Sequence, residues 1–194
     1  PLGIIRSTAE LLHSRLENDR QRRLSEIIVE EATRLNGILT EFLDYARPKK
    51  LRAVPCRIED VIERNLQVIE PECGKKNVRI ERTYLTGTAT VEADCDLLYR
   101  AFVNLFANAL QAMPEGGTLR VETAVVNGRE ERLLECRISD TGVGIPEEMR
   151  KKIFNPFFTT RQTGTGLGLP IVRSIVDAHR GVIEVESEEG KGTT

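Results

Sequence analysis

The sequence predicts an α+β chain: an N-terminal helical hairpin followed by an α/β sandwich. Three observations lead there. Apolar residues keep helical spacing as far as Pro48, short alternating segments appear among helical ones after it, and turn signals punctuate the second part. Residues 1–48 read as one unit and residues 49–194 as another.

In the first unit, Leu2, Ile5, Leu11, Leu12 and Leu16 mark one helix, and the polar stretch Glu17–Asp19 turns the chain. Leu24, Ile27, Ile28, Ala32, Leu35, Ile38, Leu39, Phe42 and Leu43 then recur at i, i+3, i+4 and i+7. That pattern predicts an amphipathic helix of about seven turns, ended by Pro48. Two helices with one apolar stripe each cannot bury it well alone. Pairing with a second copy into a dimeric four-helix bundle gains most, and packing against the rest of the same chain is the alternative.

In the second unit, Val78–Thr83, Thr88–Glu92, Thr118–Val125, Leu133–Ser139 and Val182–Glu186 read as strands. Ile58–Ile69, Leu97–Met113 and Leu169–Ala178 read as helices, with Glu115–Gly117 and Asn127–Gly128 as turns. One sheet covered by helices is the expected result.

Bulk composition excludes several functions. With 28 basic against 30 acidic residues and a net charge of -2, nothing points to nucleic acid. Cys56, Cys73, Cys95 and Cys136 are far apart with no C-x-x-C pair, so they read as buried or idle thiols of a reducing compartment, not as a zinc site. The apolar runs are too short to span a bilayer and no signal peptide opens the chain, which suggests a cytoplasmic location. A proline in mid-pattern at position 1 reads as a fragment, so any membrane segment would lie outside this chain.

Three segments carry chemistry. Asn104-Leu-Phe-Ala-Asn108 puts two carboxamides on one helical face. Buried without partners they would cost about 1–3 kcal/mol each. Their oxygens are hard, neutral ligands suited to a Mg²⁺ that keeps several waters; capping of nearby backbone is the alternative. Ser139-Asp140-Thr-Gly-Val-Gly144-Ile-Pro146 follows a predicted strand. Its glycines allow close approach of a flat ligand, and Asp140 can accept from the exocyclic amine of adenine while repelling guanine. A plain Asp-x-Gly turn is the bland reading. Thr163-Gly-Thr-Gly-Leu-Gly168-Leu-Pro170 runs into a helix, an arrangement that cradles phosphate or else serves as a flexible hinge. It is neither a Walker A loop nor a dinucleotide fingerprint.

Asn-x3-Asn, Asp-x-Gly-x-Gly and Gly-x-Gly-x-Gly in that order resemble the N, G1 and G2 boxes of the Bergerat ATP-binding fold. Phe154-Asn-Pro-Phe-Phe158 is similar to the F box of histidine kinases. Glu31-Ala-Thr-Arg34-Leu35-Asn36 and Phe42-Leu-Asp-Tyr-Ala-Arg-Pro48 resemble the second helix of a kinase dimerisation domain, and Pro1-Leu2-Gly3 resembles the tail of the H box. Phe157-Phe-Thr-Thr-Arg161 with Gly164-Thr-Gly-Leu-Gly-Leu169 leans toward nitrogen-regulator-like sensor kinases. The resemblance implies ATP and Mg²⁺ as cofactors, a homodimer, and a response-regulator receiver domain as partner. It implies that Asn108 holds Mg²⁺ with support from Asn104. Asp140 takes the adenine amine, and Gly142 and Gly144 shape the pocket. Gly164, Gly166, Leu167 and Gly168 form the lid hinge and its phosphate contacts, with Arg161 as a phosphate partner and Thr193 as an adenine-side hydroxyl.

The sequence also departs from that family. Gln111 and Ala112 stand where many members have a basic residue and an aromatic, so a side-chain phosphate contact is missing or comes from the lid. The chain stops at Thr194, before the strand that usually completes the sheet. The phosphoacceptor histidine would lie five residues before Pro1; His13 comes two to three turns too late and lacks the flanking Glu and Asn-Pro, and His179 closes a helix before Gly181, where a histidine caps or packs. Two rival readings are a gyrase- or chaperone-type ATPase and a nucleotide-binding dimer without catalysis. The first needs a glutamate where Asn104 stands.

Overall fold

A computed structural model describes residues 1–46, 51–127, 132–161 and 164–194. The chain divides into two compact units, Pro1–Pro48 and Lys49–Thr194.

The first unit is a hairpin of α1 (Leu2–Arg15) and α2 (Asp19–Ala46). Leu16 leaves α1 in an extended conformation. The side-chain oxygen of Asn18 then accepts from the N–H groups of Arg20 (2.9 Å) and Gln21 (3.3 Å), capping the start of α2. Arg22 Nε donates to the Leu16 carbonyl at 2.7 Å, satisfying a group that the end of α1 leaves open. Small residues line the seam, with Ala9, Ser25 and Ala32 buried. The large ones are not. Leu11, Leu12, Leu24, Ile27, Ile28, Leu35, Leu39 and Leu43 stay 46–56% exposed. Pro48, expected to end α2, lies outside the described residues.

The second unit contains β1 (Val54–Cys56), α3 (Ile58–Lys75), β2 (Val78–Tyr84), β3 (Val91–Ala93), α4 (Cys95–Ala112), β4 (Gly117–Asn127), β5 (Arg132–Asp140), α5 (Glu147–Arg150), α6 (Gly168–Ala178), β6 (Ser187–Glu188) and β7 (Gly192–Thr193). Five strands form one sheet in the order β2-β4-β5-β7-β6. β2 and β4 are parallel, so their connection must cross over, and α4 lies in that crossover. Leu119 and Val121 of β4 pack into one core with Ile62 and Leu66 of α3 and Phe102, Phe106 and Leu110 of α4. Elsewhere on the sheet Glu81 and Arg120 stand in register and pair at 3.0 Å, exposed to solvent. The α+β class predicted from the sequence is the class observed.

Four local expectations need correction. The strand expected at Thr88–Glu92 is only Val91–Ala93, because Gly87 and Thr88 form a turn with Gly87 at φ +62. That strand pairs with β1 in a separate two-stranded sheet that the sequence did not announce. The helix expected over Ile58–Ile69 runs on to Lys75 through Pro71, and the Lys76 N–H closes it on the carbonyls of Glu72 (3.0 Å) and Cys73 (3.2 Å). Val182–Glu186 is not a strand. Val182 is 84% exposed, and backbone pairing begins only at Glu186, which exchanges hydrogen bonds with Thr194.

The cysteines form the fourth correction. Cys56 and Cys95 are joined as a disulfide across 39 residues, with a Cα–Cα distance of 6.0 Å. Pairing of β1 with β3 delivers Cys56 to the start of α4, a proximity that sequence spacing cannot show. Cys73 and Cys136 are free thiols, and burial raises both, Cys136 to about 12. Neither is a reactive thiolate.

Asp94 anchors the start of α4. Its carboxylate accepts from the backbone N–H groups of Asp96 (3.2 Å), Leu97 (3.1 Å) and Arg52 (3.0 Å). Burial alone would raise this carboxyl, but the three donations hold it below the usual aspartate range. A depressed carboxyl stabilises the fold above its unfolded-state value, and that contribution is lost as pH falls through the folded value. Asp94→Ala is therefore expected to cost about 1–2 kcal/mol at neutral pH. Urea titrations of both proteins should show the difference shrinking in acid.

Candidate functional site

Asn104 and Asn108 occupy successive turns of α4. Asn104 Nδ2 donates to the Arg100 carbonyl at 3.2 Å, which fixes the amide and frees Oδ1. That oxygen faces the start of α6, where a Cβ on Gly168 would stand 3.1 Å from it. Asn108 Oδ1 accepts from Arg161 Nη1 at 3.1 Å. The same nitrogen also donates to Gln111 Oε1, and Nη2 lies 3.5 Å from the Asn108 carbonyl oxygen. Burial lowers the Arg161 pKa from its ordinary value. Two carboxamide oxygens on one helical face form a neutral, hard donor set that fits a partly hydrated Mg²⁺. Among the described residues no group of His, Cys, Asp and Glu could hold a metal.

The glycine-rich segment is stitched to the Phe154–Phe158 stretch. Gly166 adopts φ +67, and its carbonyl accepts from the Phe157 N–H at 3.0 Å. A Cβ there would collide with the Phe157 backbone. Gly164 leaves no room beside the Thr159 hydroxyl, and its N–H donates to the Arg161 carbonyl at 3.2 Å. Leu167 is fully buried, and α6 opens at Gly168 with no side-chain cap. Such a helix end suits an anion. Thr163 lies outside the described residues.

A second group gathers at the end of β5. The Asp140 carboxylate accepts from the Gly142 N–H at 2.9 Å and from the Thr193 backbone, but burial outweighs these donations and raises the carboxyl. Gly142 sits against the Ala112 carbonyl, which accepts from Val143 N–H at 3.0 Å. Gly144, at φ +69, packs on the Glu188 carbonyl with no space for a side chain. Thr193 Oγ1 is 2.9 Å from Ser187 Oγ, which also accepts from Ile145 N–H at 2.8 Å. A cleft of ≈ 350 Å³ opens here, lined by Asp140, Arg150, Ser187, Lys191 and Thr193 among others.

The residues singled out in the sequence therefore fall into two groups. Asp140, Gly142, Gly144 and Thr193 form one, and Asn104, Asn108, Arg161, Gly164, Gly166 and Gly168 form the other. Helix α4 serves both, through its asparagines and through the Ala112 carbonyl. Gly192, which the sequence reading passed over, stands at φ +111, and a Cβ there would collide with the Asp140 carbonyl. The run Gly190-Lys-Gly-Thr193 was a tight-turn signal that could have found it. Ser187 and the Gln111 contact had no sequence signal.

Both histidines are structural. His13 Nδ1 lies 3.1 Å from Ser25 Oγ and 3.3 Å from the Arg22 carbonyl oxygen, within the hairpin. His179 Nε2 accepts from Asp94 N–H at 2.9 Å, and Nδ1 is 2.8 Å from the Ile175 carbonyl oxygen. With both ring nitrogens engaged, His179 ties the end of α6 to the start of α4.

Comparison with known proteins agrees with this arrangement. Residues 93–194 match the family described as histidine kinase-, DNA gyrase B-, and HSP90-like ATPase. Residues 1–50 match the His Kinase A (phospho-acceptor) domain. The sensor histidine kinase ZraS of Escherichia coli (strain K12) is 32% identical over 195 residues, covering 100% of this chain and 41% of ZraS. Sporulation kinase E of Bacillus subtilis (strain 168) is 28% identical, with 100% of this chain and 26% of that protein covered. The chain thus spans well under half the length of these relatives. Among solved structures, full-length ShkA in complex with AMPPNP superposes with a TM-score of 0.83 at 25% identity, over 100% of this chain and 41% of that one. Histidine kinase ThkA in complex with response regulator protein TrrA gives 0.73 at 27% identity, over 100% and 55%. Among the described residues no helix is long and apolar enough to cross a membrane. With residues 93–194 matched, the chain belongs to the histidine kinase-, DNA gyrase B-, and HSP90-like ATPase family, and its hairpin carries a match to the His Kinase A (phospho-acceptor) domain.

Proposed function

We propose that this chain is the dimerisation and ATP-binding core of a kinase that phosphorylates a histidine and passes the phosphoryl group to a response-regulator aspartate. The observation that carries this reading is the pair of residue groups flanking α4, one suited to adenine and one to a metal-bound phosphate chain. Asp140 accepts from the exocyclic amine and turns guanine away. Gly142 and Gly144 let the base approach the backbone, and Thr193 places a hydroxyl on the same side. Asn108, with Asn104 behind it, holds Mg²⁺ by its amide oxygen, and Arg161 offers charge to the phosphates. The metal supplies neutralisation of the charge that develops on the transferred group. Positioning and charge are then the protein's whole contribution, since a neutral imidazole is nucleophile enough.

Hydrolysis is disfavoured by the same residues. An amide at Asn104 cannot take a proton from water at neutral pH, so no base stands where an ATPase needs one.

The half-exposed stripe of α1 and α2 supports a homodimer built on the hairpin. Each such side chain gains about 1.5–3 kcal/mol on full burial. Ile28→Glu with Leu35→Glu is expected to convert a sedimenting dimer into a monomer. An unchanged sedimentation coefficient would place the interface elsewhere.

The decisive experiment adds upstream residues through the expected phosphoacceptor histidine and compares that longer chain with this one in Mg²⁺ and γ-labelled ATP. Acid-labile, alkali-stable label is expected on the longer chain only, and is expected to vanish in Asn108→Ala. No label despite nucleotide binding would overturn the kinase reading in favour of a nucleotide-gated dimer.

A further inference from the structure

Gln111 stands one turn beyond the metal-side asparagines of α4, where a fixed positive charge is absent. Its side-chain oxygen is nevertheless occupied, by Nη1 of Arg161. The donor comes from 50 residues away in sequence, just after the Phe157–Phe158 stretch. The same Nη1 reaches Asn108 Oδ1 at 3.1 Å, and Nη2 lies 3.5 Å from the Asn108 carbonyl oxygen. Three acceptors on α4 thus hold a single guanidinium in the ligand-free chain, and once Asn108 Oδ1 turns to Mg²⁺ the Gln111 oxygen is the side-chain acceptor that remains. None of the three carries a charge, so the guanidinium keeps its full positive charge for a ligand. An arginine on an exposed segment samples many rotamers, and fixing it beforehand removes that entropy cost from the binding step.

We propose that Gln111 is a positioning residue. It holds Arg161 beside Asn108, so that the cation facing the phosphate chain of a nucleoside triphosphate comes from the segment after Phe158 and not from α4 itself. This rests on the nucleotide reading given above. The neutral side chain is what the arrangement requires. A lysine at 111 would repel Arg161, and a glutamate would hold it but cancel its charge. Selectivity for the triphosphate over adenosine then depends on two residues acting as one unit.

The test is calorimetric titration of the full chain with ATP and with adenosine in Mg²⁺, on Gln111→Ala, Arg161→Ala, their double variant, and Arg161→Ala with Gln111→Lys. Arg161→Ala is expected to weaken ATP about tenfold, the scale of one charge-assisted contact, while adenosine affinity stays level. Gln111→Ala is expected to weaken ATP several-fold, again with adenosine unmoved, and the double variant to be no worse than Arg161→Ala alone. Lysine at 111 should restore ATP binding in the absence of Arg161 by returning the charge to α4. A Gln111→Ala protein with parental ATP affinity, or single effects that simply add, overturns the positioning role and leaves the nucleotide site standing. A parent chain that binds neither adenosine nor ATP overturns the nucleotide reading, and this inference with it.

Discussion

Asp140→Ala is expected to weaken ATP binding by about 10- to 100-fold, the range for losing a hydrogen bond to a charged group. The effect should appear equally with adenosine, because Asp140 belongs to the base-side group and not to the phosphate side. The side chain does not act alone: Gly142 and Thr193 donate to the same carboxylate, which fixes its orientation before any base arrives. Acidity provides a second readout. Burial raises this carboxyl, so it takes up its proton at higher pH than an ordinary aspartate. The protonated form is a poor acceptor for the adenine amine, and nucleotide affinity should therefore begin to fall while most carboxylates are still ionised. The sign for stability is opposite to that of Asp94. A raised carboxyl means the folded state binds the proton more tightly, so this contribution to stability grows as pH falls through the raised value. Asp140→Asn should remove the pH dependence of binding along with most of the affinity, and fluorescence titration with a labelled nucleotide across pH would record both. An affinity unchanged by Asp140→Ala would separate Asp140 from base recognition.

The second large effect is expected at Gly192. Its φ of +111 is a region that side chains rarely adopt, and a Cβ would be driven into the Asp140 carbonyl. Backbone strain of this kind costs about 1–3 kcal/mol, and overpacking adds about 1–3 kcal/mol more. The collision cannot be relieved by rotating a side chain, because the atom in the way is backbone. Gly192→Ala should lower Tm by several degrees and loosen the pairing of Asp140 with Thr193, the one register contact between β5 and β7. Gly190→Ala is the control. It has a positive φ of +78 but open space where a Cβ would stand, so it should carry only the conformational part of the penalty. Thermal melts of the two variants separate strain from collision, and equal losses would argue against the packing account.

These two residues show which parts of the molecule could be read from the chain alone. Asp140 and its glycines are contiguous, so their chemistry could be written down before any fold was known. The hairpin was equally legible, since a repeat of apolar residues at helical spacing specifies both the helix and the face it presents. Gly192 was missed because its constraint comes from β5, which reaches it only through strand pairing. The Cys56–Cys95 bond and the Gln111–Arg161 contact were invisible for the same reason, joining residues 39 and 50 positions apart. The alternating run Val182–Glu186 misled because alternation describes a side-chain pattern and not a partner. Of this run only Glu186 exchanges backbone hydrogen bonds with another segment, at Thr194, so the pattern produced no ladder.

The exposed stripe on α2 has a thermodynamic consequence. Among the described residues one copy of the hairpin fully buries just the small Ala9, Ser25 and Ala32, so much of its apolar surface stays in water on folding. If a second copy covers the rest, order in the helices and association of the chains become one equilibrium, governed by mass action. Dilution would then unfold the hairpin as effectively as heat, and its melting temperature would climb with the logarithm of protein concentration. The sandwich, which carries its own core, would melt at a temperature indifferent to dilution.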